Sequence, residues 1–343
     1  MHLFGTAIRY LKIAAVPILI AVTVMLNGCR GQSGESSETG ETLRFVFLAD
    51  SRGEALHEPT NTPVLTAIIA QIKGLSPQPA FVVFGGDMAY RGYIKTAYTF
   101  QTWKDLFAPL TSAGITLCTA IGNHELYHEH AGLFLLENQI QYQKVFTENP
   151  DNGPPGYERL VYSFTSPGGD SFFAVLDPYY LTADNPDPNL GGTIDPTQLS
   201  WLDAQVAQTK ATHKFLFIHT PYYYVTGENP ADPSEPPCSA DVTFTNLWTI
   251  LDDNRFDFYA CGHSHLYSRK TIDSSILPNP QTDPPRPPWQ NNVVQLLNGS
   301  CGAPFIVQTN HRHRRTARIS QSAGHPQPLS VAAFSFIAAR AFL

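Results

Sequence analysis

The feature that most constrains this chain is a repeated ending. Short apolar, β-rich runs recur as RFVFLA (44–49), AFVVFGG (80–86), TLCTAIG (116–122), FFAVL (172–176), KFLFIH (214–219) and FDFYACG (256–262). Each has strand length and is bounded by turn-forming or polar residues. Segments with helical spacing lie between several of them. In PVLTAIIAQIK (63–73), Val64, Ile68, Ile69 and Ile72 share one face, and 97–110 and 197–209 are similar. Strands alternating with helices predict an α/β architecture.

The polar residue at the end of each run matters more. Asp50 comes after the first, and Asp87, with Tyr90 three residues on, after the second. Asn123 and His124 come after the third, His219 closes the fifth, and His263 and His265 come after the sixth. In open α/β sheets, ligands bind in the crevice beyond the carboxyl ends of the strands. A lone strand-end Asp or His is more often a cap or turn residue, and Asp50 with Arg52 also reads as an ion pair at a turn. The five endings together read as one metal site. Oxygen and imidazole donors suit Zn, Mn, Fe or Ni rather than a thiolate site. They outnumber the ligands of one ion, which points to two metals sharing a bridging carboxylate.

Composition sets the remaining bounds. The 343 residues are 43% hydrophobic and 12% aromatic, enough for a sizeable core. The formal charge of −7 excludes a general basic footprint for nucleic acid. Arg9 and Lys12 precede the apolar run IAAVPILIAVTVML (13–26), which is shorter than a comfortable membrane span and contains Pro17. It ends in LNGC, which resembles the lipobox of bacterial lipoproteins. That resemblance implies cleavage before Cys29, lipidation of Cys29, and a place in the cell envelope facing the periplasm or exterior. GQSGESSETGET (31–42) is then a flexible tether. The alternatives are an ordinary signal peptide or an anchor helix. The expected organisation is a signal segment over 1–28, a tether over 29–42, a catalytic domain over 43–309, and a C-terminal tail over 310–343 with no assigned function. Cys118 and Cys261 sit in apolar runs and read as buried thiols. Cys238 and Cys301 lie in loop-like segments where a disulfide is open to them. The Pro/Asp/Asn-rich stretches 183–197, 226–241 and 274–292 read as long surface loops of the kind that form functional rims.

The motifs GGDMAY (85–90), GNHE (122–125), HTPYY (219–223) and GHSH (262–265), in this order, resemble the calcineurin-like metallophosphoesterases over about residues 43–306. The resemblance implies a four-layer α/β/β/α sandwich with two mixed β-sheets. It implies that Asp87 bridges two metal ions, that Asn123, His219 and His263 complete one, and that Asp50 and His265 bind the other. His124 would face the phosphate as the catalytic residue, with Asn123 also against the substrate. The opening motif departs from the family pattern, because Arg52 stands where most members carry a ligating histidine. A guanidinium cannot ligate.

The spacing G-D-x-x-Y and the motif HTPYY resemble the purple acid phosphatase branch, which uses a tyrosinate instead. Tyr90 then becomes a ligand, and a phenolate at neutral pH calls for a strongly Lewis-acidic ion, Fe(III), with Zn, Mn or Fe(II) beside it. The alternative for Tyr90 is a rim aromatic stacking on substrate. Arg52 either binds a phosphate oxygen, as a catalytic and substrate-binding residue, or pairs with Glu54 or Glu58. Among weaker candidates, Asp177 reads as a loop anchor, and Tyr222, Tyr223 and Tyr224 as pocket lining or packing. His128 and His130 are possible aids to leaving-group protonation.

The implied function is hydrolysis of a small phosphomonoester by in-line attack of a metal-bound hydroxide. A phosphodiesterase or nucleotidase is the alternative on the same scaffold. A non-catalytic surface lipoprotein is a third, and the full ligand set argues against it.

Overall fold

The computed structural model describes residues 21–25, 43–91, 96–128, 134–185, 192–223, 242–275, 289–304 and 335–337. The strands are β1 (Ala21–Met25), β2 (Leu43–Leu48), β3 (Arg52–Ala55), β4 (Glu58–Thr60), β5 (Phe81–Phe84), β6 (Thr116–Thr119) and β7 (Tyr162–Thr165). They continue with β8 (Ser171–Val175), β9 (His213–Phe217), β10 (Phe258–Cys261), β11 (Tyr267–Ile272), β12 (Val293–Asn298) and β13 (Ser335–Ile337). The helices are α1 (Thr62–Lys73), α2 (Thr96–Leu106), α3 (Ala108–Thr111), α4 (Asn123–Leu126), α5 (Leu136–Val145), α6 (Pro196–Gln208) and α7 (Val242–Asp253).

Two mixed sheets form. The first has the order β13-β1-β2-β5-β6 and the second β11-β12-β10-β9-β8-β7, while β3 and β4 make a separate hairpin. In the first, β2, β5 and β6 run parallel. In the second, β8, β9, β10 and β12 run parallel, flanked by antiparallel β7 and β11. All six apolar runs therefore became strands of the parallel blocks.

Strand alternation sorts their residues into three cores. Phe45, Phe47 and Ala49 of the first sheet face Phe173, Phe215 and Phe217 of the second. The rings interlock, with Phe45 lying 5.4 Å from Phe173 and 5.3 Å from Phe215, both edge to face. Val46, Leu48, Val82 and Phe84 point the other way, onto α1, α2, α3 and α5. Phe172, Ala174, Leu216 and Ile218 point onto α6 and α7. The result is the expected α/β/β/α sandwich, and its hydrophobic layers hold both sets of strand ends at one edge.

Several expectations shift in detail. On α1 the buried stripe is Leu65, Ile68, Ile69 and Ile72, and Val64 lies at its margin. The expected helix over 97–110 breaks at Phe107, because Pro109 has no amide hydrogen to continue it. Cys301 lies in the bend after β12, as expected, but it is a free, buried thiol and not half of a disulfide. Burial pushes Cys301 up to about 12. Cys238 itself, Cys29, the tether 29–42, and most of the three long loops lie outside the described residues. Within the segment read as a signal, Ala21–Met25 runs antiparallel to β2. Ser335–Ile337, from the segment read as a tail, pairs with it in parallel. AVTVM is apolar and rich in β-branched residues, a composition that favours a strand.

Candidate metal centre

The strand ends meet. Asp50, Asp87 and Asn123 leave the first sheet after β2, β5 and β6, while His219, His263 and His265 leave the second after β9 and β10. All except His263 are buried outright, and His263 is nearly so. Oxygens of Asp50 and Asp87 and a nitrogen of His219 lie within 4.8 Å of one another. Asn123 and His263 extend this group. His219 Nε2 is 3.2 Å from Asp87 Oδ1, and His263 Nδ1 is 3.3 Å from His219 Nε2 and 3.2 Å from Asn123 Oδ1. On the other flank, His265 Nε2 is 3.6 Å from Asp50 Oδ1.

Hydrogen bonds behind the rings decide which atoms face inward. His219 Nδ1 donates to the carbonyl of Gly85 at 2.7 Å, and His265 Nδ1 donates to that of Pro304 at 2.6 Å. Both Nε2 atoms are thereby turned to the centre, as in histidines that hold a metal. Asn123 Nδ2 donates to the Tyr127 hydroxyl at 3.2 Å, which leaves Oδ1 as the inward atom. The inward atoms are therefore mostly oxygen and imidazole-nitrogen ligand atoms. Asp50 Oδ1 is fully buried and has no hydrogen-bond partner. Orphaned buried acceptors are costly, and a multivalent cation is what this donor set fits.

The ionisation of the groups shows the same crowding, because protons are drawn toward Asp50 and His219. Burial raises Asp50 well above the carboxylate range, against the pull of His219 and with the charge of Asp87 adding to it. Asp87 goes the other way. Burial alone would raise it, but the charges of His219 and His124 hold it well below that range. Burial also opposes the charged form of His219, yet Asp87 and Asp50 outweigh it and push it up to about 9. Burial, helped by the charge of His219, brings His263 down to about 3. Burial with Arg52 brings His265 down to about 4. Both are neutral imidazoles, the form that ligates.

The backbone is bent to make this possible. Asp50, Asp87 and His263 have φ of 64°, 58° and 71°, in the left-handed region that non-glycine residues avoid. Each is pinned. Asp50 N–H donates to Gly86 O at 3.0 Å, the Ser51 and Arg52 amides donate to Asp87 O, and His263 N–H donates to Asp50 Oδ2 at 3.0 Å. A Cβ on Gly122 would collide with the Asp87 carboxylate, and one on Gly262 with that of Asp50, so both motif glycines make room for a ligand.

One residue escaped the sequence reading. The Glu125 carboxylate, fully buried, accepts from the amides of Asp87 (2.8 Å), Met88 (2.7 Å) and Gly122 (2.8 Å). It ties the turn after β5 to the turn after β6. Burial and the charge of Asp87 raise it to about 7. The only sequence signal was its place at the end of GNHE.

His124 lies at the opening. Its amide donates to Asp87 Oδ1 at 3.0 Å, and its Nδ1 donates to the Tyr90 carbonyl, so Nε2 is presented 3.9 Å from Asp87 Oδ2. The Tyr90 ring lies 6.1 Å from that of His124, with the Arg52 guanidinium 6.0 Å and the Arg91 guanidinium 4.9 Å from its centroid. Among the described residues Arg52 makes no ion pair with Glu54 or Glu58. Its side-chain hydrogen bond there goes to Gly53 O, and its buried Nε has no partner. Asp177 anchors a turn by accepting from the Tyr179 amide, and Tyr222 and Tyr223 pack in the core under α7. His128 is half-buried, while Tyr224 and His130 lie outside the described residues.

Glu125→Gln puts an amide –NH2 against one of three backbone donors. We expect metal affinity to fall by about 10–100-fold, the usual cost of losing an outer-shell partner, with folding retained. Competition with a chelator measures it, and unchanged affinity would refute the clamp.

Comparison with known proteins points one way. The family model described as calcineurin-like phosphoesterase matches residues 43–267. Tartrate-resistant acid phosphatase type 5 of Sus scrofa is 23% identical over 265 residues, 73% of this chain and 72% of the relative. The Rattus norvegicus protein of the same name is 26% identical over 242 residues, 65% of this chain and 67% of its own. Among solved structures, a dimetal phosphatase of Danio rerio aligns with a TM-score of 0.50 at 16% identity, covering 75% of this chain and 87% of that one. A purple acid phosphatase from yellow lupin (Lupinus luteus) seeds aligns with a TM-score of 0.50 at 16% identity, over 82% of this chain and 49% of its own. At those identities the structural likeness shows the fold.

Proposed function

The chain belongs to the calcineurin-like phosphoesterase family, and we propose that it is a dinuclear, acid-phosphatase-like member that hydrolyses phosphomonoesters. A metal-dependent phosphoesterase is what membership establishes. The preference for monoesters rests on one observation: Arg52, charged and without a carboxylate partner among the described residues, lies where its field acts on Asp50, His124 and His265. A permanent cation beside the metal site favours the dianionic monoester over the monoanionic diester, and a guanidinium can bind two phosphate oxygens at once. The acid-phosphatase names of the relatives support the same reading.

We assign Asp87 as the bridging ligand, with Asn123, His219 and His263 on one ion and Asp50, His265 and Tyr90 on the other. When bound, two metal ions supply Lewis acidity, charge neutralisation and an acidified water. The protein supplies the rest. His124 is held by its Nδ1 hydrogen bond to Tyr90 O, so Nε2 would face the leaving oxygen; burial disfavours the charged ring, and only as the imidazolium would it give that oxygen a proton. Asn123 and Arg52 orient the phosphoryl oxygens. Glu125 keeps Asp87 in its turn while charge develops. A lipid anchor through Cys29 would place this activity at the cell envelope.

Two measurements test the assignment. The kcat/KM for p-nitrophenyl phosphate should exceed that for its bis ester, and Arg52→Ala should lower the monoester value by about 10-fold or more, the worth of a charged hydrogen bond. Equal rates on the two esters, or an Arg52→Ala enzyme with unchanged kcat and KM, would defeat it. For Tyr90, the iron-loaded protein should absorb in the visible through a ferric phenolate, and Tyr90→Phe should lose the band. A colourless, fully active iron-loaded wild type contradicts Tyr90 ligation.

A further inference from the structure

Resting on the phosphoesterase reading above, we propose that the site selects phosphomonoesters carrying a second anionic group, phosphoryl or carboxylate, held by Arg91 together with Arg52 around Tyr90. Arg91 has no part in the metal site or in the chemistry assigned so far. Its guanidinium carbon stands 4.9 Å from the Tyr90 ring centroid, and that of Arg52 stands 6.0 Å from the same point. Two permanent cations thus share one aromatic ring at the opening of the site. The ring gives each a favourable face.

The two arginines are not equivalent. Arg52 is among the charges that act most strongly on Asp50, His124 and His265, whereas Arg91 is not. Both act on the hydroxyl of Tyr127, whose ring packs 5.1 Å from His124. Arg52, whose amide is bonded to Asp87 O, is on this reading the inner cation and Arg91 the outer one, with the Tyr90 ring against both. A single phosphate held against the metal ligands meets Arg52. A second anion on the same molecule extends outward to Arg91, where the planar fork of a guanidinium matches either a carboxylate or a phosphoryl group. The selectivity therefore belongs to the charge of the substrate.

Matched substrate pairs test this at constant ionic strength and saturating metal. One pair is a nucleoside 5′-monophosphate and its 3′,5′-bisphosphate, and the other is glycerol phosphate and phosphoglycerate. The wild type should show a KM lower by about tenfold for the member with the extra anion, the contribution of one charge-assisted hydrogen bond. An effect in only one pair identifies that anion, phosphoryl or carboxylate, as the one bound. Arg91→Gln should abolish the advantage and Arg91→Lys should keep part of it. Equal KM values within both pairs for the wild type overturn the inference, as does an advantage that survives Arg91→Gln. The wild-type pairs decide the matter even if a variant folds poorly. Failure of the protein to hydrolyse p-nitrophenyl phosphate and glycerol phosphate would instead remove the reading on which the inference rests.

Discussion

Two buried carboxylates and three imidazoles converge on one small volume, and most of the surrounding architecture serves to hold them so. Asp50 Oδ1 lies fully buried without a hydrogen-bond partner, and the inward nitrogens of His219 and His265 face carboxylate oxygens. Left to themselves such groups would separate or move to water. They are prevented from doing so by left-handed turns at Asp50, Asp87 and His263, by the three amides gathered on Glu125, and by carbonyls that lock the histidine rings from behind. A preorganised cation site is the physical sense of that arrangement. Function lives in the turns, and their strain is the mark of it.

The proposed ligands are also divided between two sheets. Asp50, Asp87 and Asn123 belong to the first and the histidines to the second, so the distance between the sheets sets the distance between ligands. The interlocked phenylalanines Phe45, Phe81, Phe173, Phe215 and Phe217 fix that spacing. Near the site two polar links finish the alignment: Asn298 Nδ2 donates to Phe47 O at 3.1 Å, and His263 N–H donates to Asp50 Oδ2. The segment after β12 adds a third, because Ala303 N–H donates to Asp50 O while Pro304 O receives from His265. A packing change far from the opening would therefore be felt at the metal ligands.

Much of this was legible in the residues. Parallel strands buried on both faces read as continuous apolar runs, and the polar residue ending each run marks the crevice, so Asp50, Asp87, Asn123, His219, His263 and His265 stand out in the chain by position alone. What stayed hidden depends on contacts distant in sequence. The buried faces of α1 and the break at Phe107 differ from the expectation by a residue or a proline, which local periodicity resolves poorly. Cys301 looked like a loop cysteine because its neighbours are Ser, Gly and Ala. Its burial comes from packing against α1 and the end of β2. Glu125 looked like the last letter of a motif, and only the folded chain brings three amides to it. Arg91 carried no signal, since its meaning comes from Tyr90 and Arg52 beside it.

The central claim is that these converging acceptors form a centre for two metal ions. Metal content measured per chain, after chelation and reloading with iron together with zinc or manganese, tests it most directly. Two ions per folded chain are expected, with phosphatase activity returning as the second ion binds. A folded chain that retains well under one ion would contradict it.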